Sequence, residues 1–74
     1  MAVHRIESLV TGTVWKLERR AGDSVAQGET LMILESMKME IPMEAPAAGV
    51  LKEVRVAEGD SVKEGEVLAV LVQG

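Results

Sequence analysis

The chain contains no cysteine, no phenylalanine and no tyrosine, and a single histidine, His4. Without cysteine no disulfide can staple the fold, and the composition suits a reducing cytoplasm, the expected location. One histidine excludes a metal site of ordinary type and a His-based nucleophile relay. His4 itself reads as an incidental surface residue. No apolar run approaches the roughly 20 residues of a membrane-spanning helix. The opening residues, Met1-Ala2-Val3-His4-Arg5-Ile6-Glu7, lack the apolar core of a signal peptide. Basic surplus is missing too. A net charge of −4 argues against a nucleic-acid partner, and nothing suggests a membrane partner.

What is present points to strands. Hydrophobic residues make up 47% of the 74, mostly Val, Leu, Ile, Ala and Met, enough for one small core. The expected organisation is a single domain over residues 1–74, monomeric when isolated. No segment of ten residues shows a helical period, and the Val/Ile/Gly content favours β structure. No Pro/Ala- or Ser-rich linker flanks the chain, which reads as self-contained.

The sequence repeats itself. Gly12–Leu34 aligns with Gly49–Leu71 at a constant offset of 37, with nine identities in 23 positions: Gly12/Gly49, Gly22/Gly59, Asp23/Asp60, Ser24/Ser61, Val25/Val62, Gly28/Gly65, Glu29/Glu66, Leu31/Leu68 and Leu34/Leu71. Half-units of about 1–37 and 38–74 are each too small to bury an apolar face alone. They must pack together about a pseudo-twofold axis. Gly22-Asp23 and Gly59-Asp60 read as turns whose Asp accepts from nearby backbone N–H groups. Gly28 and Gly65 mark a second pair of turns that need positive φ. Val25 and Val62 read as core plugs. Arg19 stands where the second half has Val56, so the first strand should be more exposed there. Trp15 reads as partly buried packing, with partner docking as the alternative.

The centre of the chain is Glu35-Ser36-Met37-Lys38-Met39-Glu40. Period-2 runs lie on both sides of it with no gap, so a tight hairpin with Met37-Lys38 as its turn is expected. That register pairs Ser36 with Met39, Glu35 with Glu40, Leu34 with Ile41, Ile33 with Pro42 and Met32 with Met43. Pro42 and Pro46, which cannot donate to a ladder, make the second strand either short or an edge strand. Two local rules break at this point. Met-Lys is a poor choice for a turn that wants positive φ, and Glu35 faces Glu40. Such clustered violations mark function, and the residue held out to solvent is Lys38. The repeat maps Lys38 onto Met1, so the turn and the chain ends should lie at opposite poles.

Glu35-Ser36-Met37-Lys38-Met39 resembles the Met-Lys-Met motif of the biotinyl/lipoyl attachment domain family. Ala45-Pro46-Ala47-Ala48-Gly49-Val50 and the repeated Gly-Asp-Ser-Val-x-x-Gly-Glu-x-Leu resemble the same family over nearly the whole chain. The size is closest to free-standing single-domain attachment proteins. The resemblance implies an all-β fold: a flattened eight-stranded barrel or sandwich of two four-stranded antiparallel sheets with quasi-twofold symmetry. It implies that a biotin protein ligase activates biotin as an acyl-adenylate, which the Lys38 amine attacks. The biotin arm then carries a carboxyl group between biotin carboxylase and carboxyltransferase subunits. Met37, Met39, Glu35, Glu40 and Ser36 become recognition residues, and the domain is a non-catalytic carrier. Ser36 departs from the Ala common in biotinyl domains, and no inserted "thumb" loop is expected.

Three functions are weighed. The first is a biotin carrier. The second is a lipoylated acyl carrier, although lipoyl turns commonly read Asp-Lys-Ala. The third is an unmodified structural hairpin module. An autonomous enzyme is the weakest alternative, because no nucleophile–base pair is visible.

Overall fold

The computed structural model describes all 74 residues and contains eight β-strands and no helix. The strands are β1 (Ala2–Glu7), β2 (Gly12–Leu17), β3 (Ser24–Val25), β4 (Thr30–Ser36), β5 (Met39–Glu44), β6 (Gly49–Val54), β7 (Ser61–Val62) and β8 (Val67–Gln73). They form two four-stranded antiparallel sheets, ordered β1-β8-β6-β3 and β5-β4-β2-β7. Strands n and n+4 exchange between these two orders, so the sequence repeat is a structural repeat. Each half donates two strands to each sheet. The halves are therefore interlocked through hydrogen-bonded ladders as well as a shared core.

Alternation fills the space between the sheets. Val14, Leu31, Met32, Leu34, Leu51, Val62, Leu68 and Leu71 are almost wholly shielded from solvent. Burying each of the larger side chains stabilises by about 1.5–3 kcal/mol. Val25 and Val62 sit on the two-residue strands β3 and β7 and plug the core, as expected. β5 is an edge strand, which accommodates Pro42.

The turns use carboxylates. The Arg20 N–H donates to Asp23 Oδ2 at 2.9 Å, and the Ala57 N–H donates to Asp60 Oδ2 at 2.9 Å. Gly22 (φ 96°) and Gly59 (φ 94°) precede these residues with open space around them, so backbone conformation selects glycine there. Gly28 and Gly65 follow the same rule. Beside them, Glu29 Oε1 accepts the Ala26 N–H at 3.1 Å and Glu66 Oε1 accepts the Lys63 N–H at 3.0 Å. Arg19 pairs with Glu29, while Val56 at the equivalent place packs against the core.

The repeat also contains two matched β-bulges. The pairing of β2 with β4 slips between Val14 and Lys16, and that of β6 with β8 slips between Leu51 and Glu53. Val14 and Leu17 both face the core, so Trp15 and Lys16 between them both face outward. Trp15 is accordingly 49% exposed, half covered as partly buried packing requires and half open to solvent. His4 is half-buried and shares a 3.0 Å hydrogen bond with Gln73.

Candidate functional site

The hairpin adopts the register that its alternation dictates. Ser36 pairs with Met39, Glu35 with Glu40, Leu34 with Ile41, Ile33 with Pro42 and Met32 with Met43. Met32, Leu34 and Met43 are buried on one face, so a one-residue slip would expel them from the core. The loop is then limited to Met37 and Lys38. Both have positive φ, 52° and 64°, and they are the only non-glycine residues that do. Two-residue hairpins need this left-handed conformation, which costs a residue with a Cβ about 1 kcal/mol. The strain is imposed by the ladder on either side.

Three features hold the tip in place. The Ser36 hydroxyl donates to the Thr11 carbonyl at 3.0 Å. The Thr11 hydroxyl in turn accepts the Glu64 N–H at 3.1 Å, linking hairpin, β1–β2 connection and β7–β8 turn. Gly12 approaches the hairpin so closely that a Cβ there would lie 2.3 Å from the Glu35 carbonyl oxygen. Gly49 makes the equivalent approach to Val72.

Lys38 is exposed, as are Met37 (93%), Met39 (62%), Glu35 and Glu40; Ser36 is half-buried. Lys38, Glu35 and Glu40 take part in none of the three ion pairs. The larger concavities lie elsewhere, one of about 340 Å³ beside Ile6, Leu9, Pro42 and Met43 and one beside Leu17 and Glu58. Lys38 thus stands on a convex tip. No group of three His, Cys, Asp or Glu side chains could hold a metal ion. The other lysines differ: Lys16 pairs with Glu18, Lys52 lies at a bulge, and Lys63 follows β7.

The tip is remote from the chain ends. Ala2 pairs with Gln73 at one end of β1, while at the other end Ser8 bonds to Glu66 and Gly65. Thr11, three residues on, holds Ser36. The length of β1 therefore separates the termini from the hairpin, about 20 Å at 3.3 Å per residue. Sequence reading located the tip and its remoteness. It missed the Thr11 anchor, whose hydroxyl carries no periodic signal.

Residues 2–71 match the family model described as "Biotin-requiring enzyme". Among curated relatives, a biotin/lipoyl attachment protein of Bacillus subtilis is 50% identical over 59 residues, 80% of this chain and 81% of the relative. The biotinylated protein TB7.3 homolog of Mycobacterium leprae is 36% identical over 66 residues, 89% of this chain and 93% of the relative. Among solved structures, Kluyveromyces lactis urea carboxylase superposes with a TM-score of 0.90 at 32% identity, over 97% of this chain and 6% of that one. The lipoyl domain of the Azotobacter vinelandii 2-oxoglutarate dehydrogenase complex superposes with a TM-score of 0.77 at 35% identity, over 92% of this chain and 86% of that one.

Proposed function

The chain belongs to the biotin/lipoyl attachment domain family, and we propose that Lys38 is its attachment residue and biotin its group. Members of this family are carrier domains, with biotin or lipoate joined covalently to a lysine. The observation that carries the assignment is the geometry of Lys38. It alone of the four lysines stands on a strained, exposed two-residue turn, clear of ion pairs. An amine so displayed fits an acylating ligase, because a partner can close over it from several sides without moving the fold.

Met37 and Met39 support biotin over lipoate, as does the biotinylated relative. Bound biotin would supply a ureido nitrogen able to accept and release a carboxyl group at two separate active sites. The chain's own part is mechanical. Lys38 holds the arm by an amide, the β4–β5 ladder fixes its root, and the convex tip leaves it free to swing. Glu35, Glu40, Met37, Met39 and Ser36 are the surface a biotin protein ligase reads. Likeness to a carboxylase supports biotin carboxylase and carboxyltransferase as partners. On this reading the chain works as a monomer in the cytoplasm.

Lipoate is the second reading, favoured by the lipoyl-domain likeness. Intact mass after coexpression with a biotin ligase, and separately with a lipoate ligase, decides between them. One biotinyl group is expected on the wild type and none on Lys38→Arg. A wild-type mass unchanged by the biotin ligase overturns the biotin assignment.

A further inference from the structure

The internal repeat supplies its own control for reading the surface. Matching rows on the outer faces of the two sheets carry different chemistry. On the sheet without the lysine, Arg5, Lys52 and Glu53 surround Val70, which is only 6% exposed. The equivalent row on the lysine-bearing sheet is Pro42, Ile33, Trp15 and Lys16. There Pro42 is exposed, Ile33 half-buried and Trp15 49% exposed. One fold therefore surrounds this spot with three charged side chains in one half and, in the other, with apolar ones apart from Lys16, which is paired with Glu18.

The neighbouring rows differ in the opposite sense. Nearer the chain ends, the first sheet has Val3, Val72 and Val50 in register. The lysine-bearing sheet has Glu40, Glu35 and Thr13 at the equivalent positions, between the apolar row and the tip. The order outward from the middle of this face is then apolar row, acidic pair, amine. Both acids lack an ion-pair partner within the domain.

We propose that Trp15, Ile33 and Pro42 form the docking platform for the enzyme that acylates Lys38, an inference that rests on the biotin-carrier reading. The partner's complementary surface is an apolar patch bordered by basic side chains. The basic groups meet Glu35 and Glu40, and the patch covers Trp15. Complementary charge orients such encounters, and buried Trp supplies a large part of their energy. A second copy of this chain is a poorer occupant, because it brings the same unpaired acids and a further charge of −4. The Val3/Val72/Val50 row is apolar too, but it lies at the pole away from the amine.

The repeat also designs the test. Trp15→Lys installs the residue that the second half carries at the equivalent bulge, so the scaffold accommodates it; Trp15→Ser removes the ring without adding charge. Val50→Thr installs the residue found at position 13 and serves as the distant control. Steady-state biotinylation by a biotin ligase should show KM raised about tenfold for both Trp15 variants, with kcat unchanged, and no change for Val50→Thr. Trp15 is the only tryptophan, so its indole N–H gives one resolved signal. That signal should shift when unlabelled ligase is added to labelled domain. Unchanged KM in the Trp15 variants, or an indole signal that stays still while residues 36–39 respond, overturns the platform alone. A wild-type dimer that Trp15→Lys dissociates would reassign the face to a second copy. A wild type left unmodified, seen by mass, overturns the underlying reading and the platform with it.

Discussion

Glu35 and Glu40 stand directly opposite each other across β4 and β5, with only the Ser36/Met39 pair between them and the turn that carries Lys38. Like charges in this position destabilise a ladder by about 0.2–1 kcal/mol. Removing both should therefore stabilise the fold and weaken the partner interaction. The double variant Glu35→Gln/Glu40→Gln is expected to unfold at higher denaturant and to be biotinylated more slowly. Loading at the wild-type rate would show that the acids are not read.

The turn offers a second separation of stability from function. Met37 holds φ at 52° without being glycine. Met37→Asn should relieve about 0.5–1 kcal/mol of strain, because Asn tolerates this conformation. In a domain of this size that raises Tm by a few degrees. Calorimetry checks it, and a lowered Tm would mean that Met37 contributes contacts outweighing its strain.

Gly12 is required for space and not for φ. A Cβ there meets the Glu35 carbonyl, a backbone atom that cannot swing aside. Gly12→Ala should cost more than about 2 kcal/mol by forcing β2 from the hairpin. Gly49→Ala should cost a similar amount at the opposite pole. Chemical denaturation measures both, and exchange of the Met39 amide should rise mainly in the first. Equal protection of that amide in both variants would refute the local coupling.

Acid should act through Glu29 and Glu53. The Ala26 N–H, followed by Arg19, holds the Glu29 carboxyl below its ordinary value of 4.5. Arg55 does the same for Glu53. A group with a depressed folded pKa contributes its stability above the unfolded value and loses it as pH falls through the folded value. Stability should therefore decline below about pH 4.5, with less decline in Glu29→Gln. Denaturant midpoints across pH 2–6 check this; identical pH profiles for Glu29→Gln and wild type would refute it.

Much of the hairpin was legible because its two apolar runs adjoin without a gap. A one-residue slip of that register would turn Met32, Leu34 and Met43 outward, and the absence of spare residues between the runs leaves Met37-Lys38 as the shortest turn. The turn glycines and Asp23/Asp60 were legible because their chemistry is local. Trp15 was harder. Its exposure follows from a bulge, and the signal was a spacing of three between Val14 and Leu17 where simple alternation gives two. Thr11 and Glu64 act across 25 and 53 residues of chain, through contacts that exist only once both halves have interlocked. The bonds from Glu29 and Glu66 to their own turns span three residues. The repeat contained both, yet it disclosed their matching, not their work.

The pairing of Ala2 with Gln73 has a practical corollary for anyone handling the molecule. Both ends leave from one pole as neighbouring antiparallel strands. An affinity handle, a solid support or a fused catalytic unit joined at either end extends away from Lys38. Such an attachment should leave the amine as reachable as it is in the isolated chain.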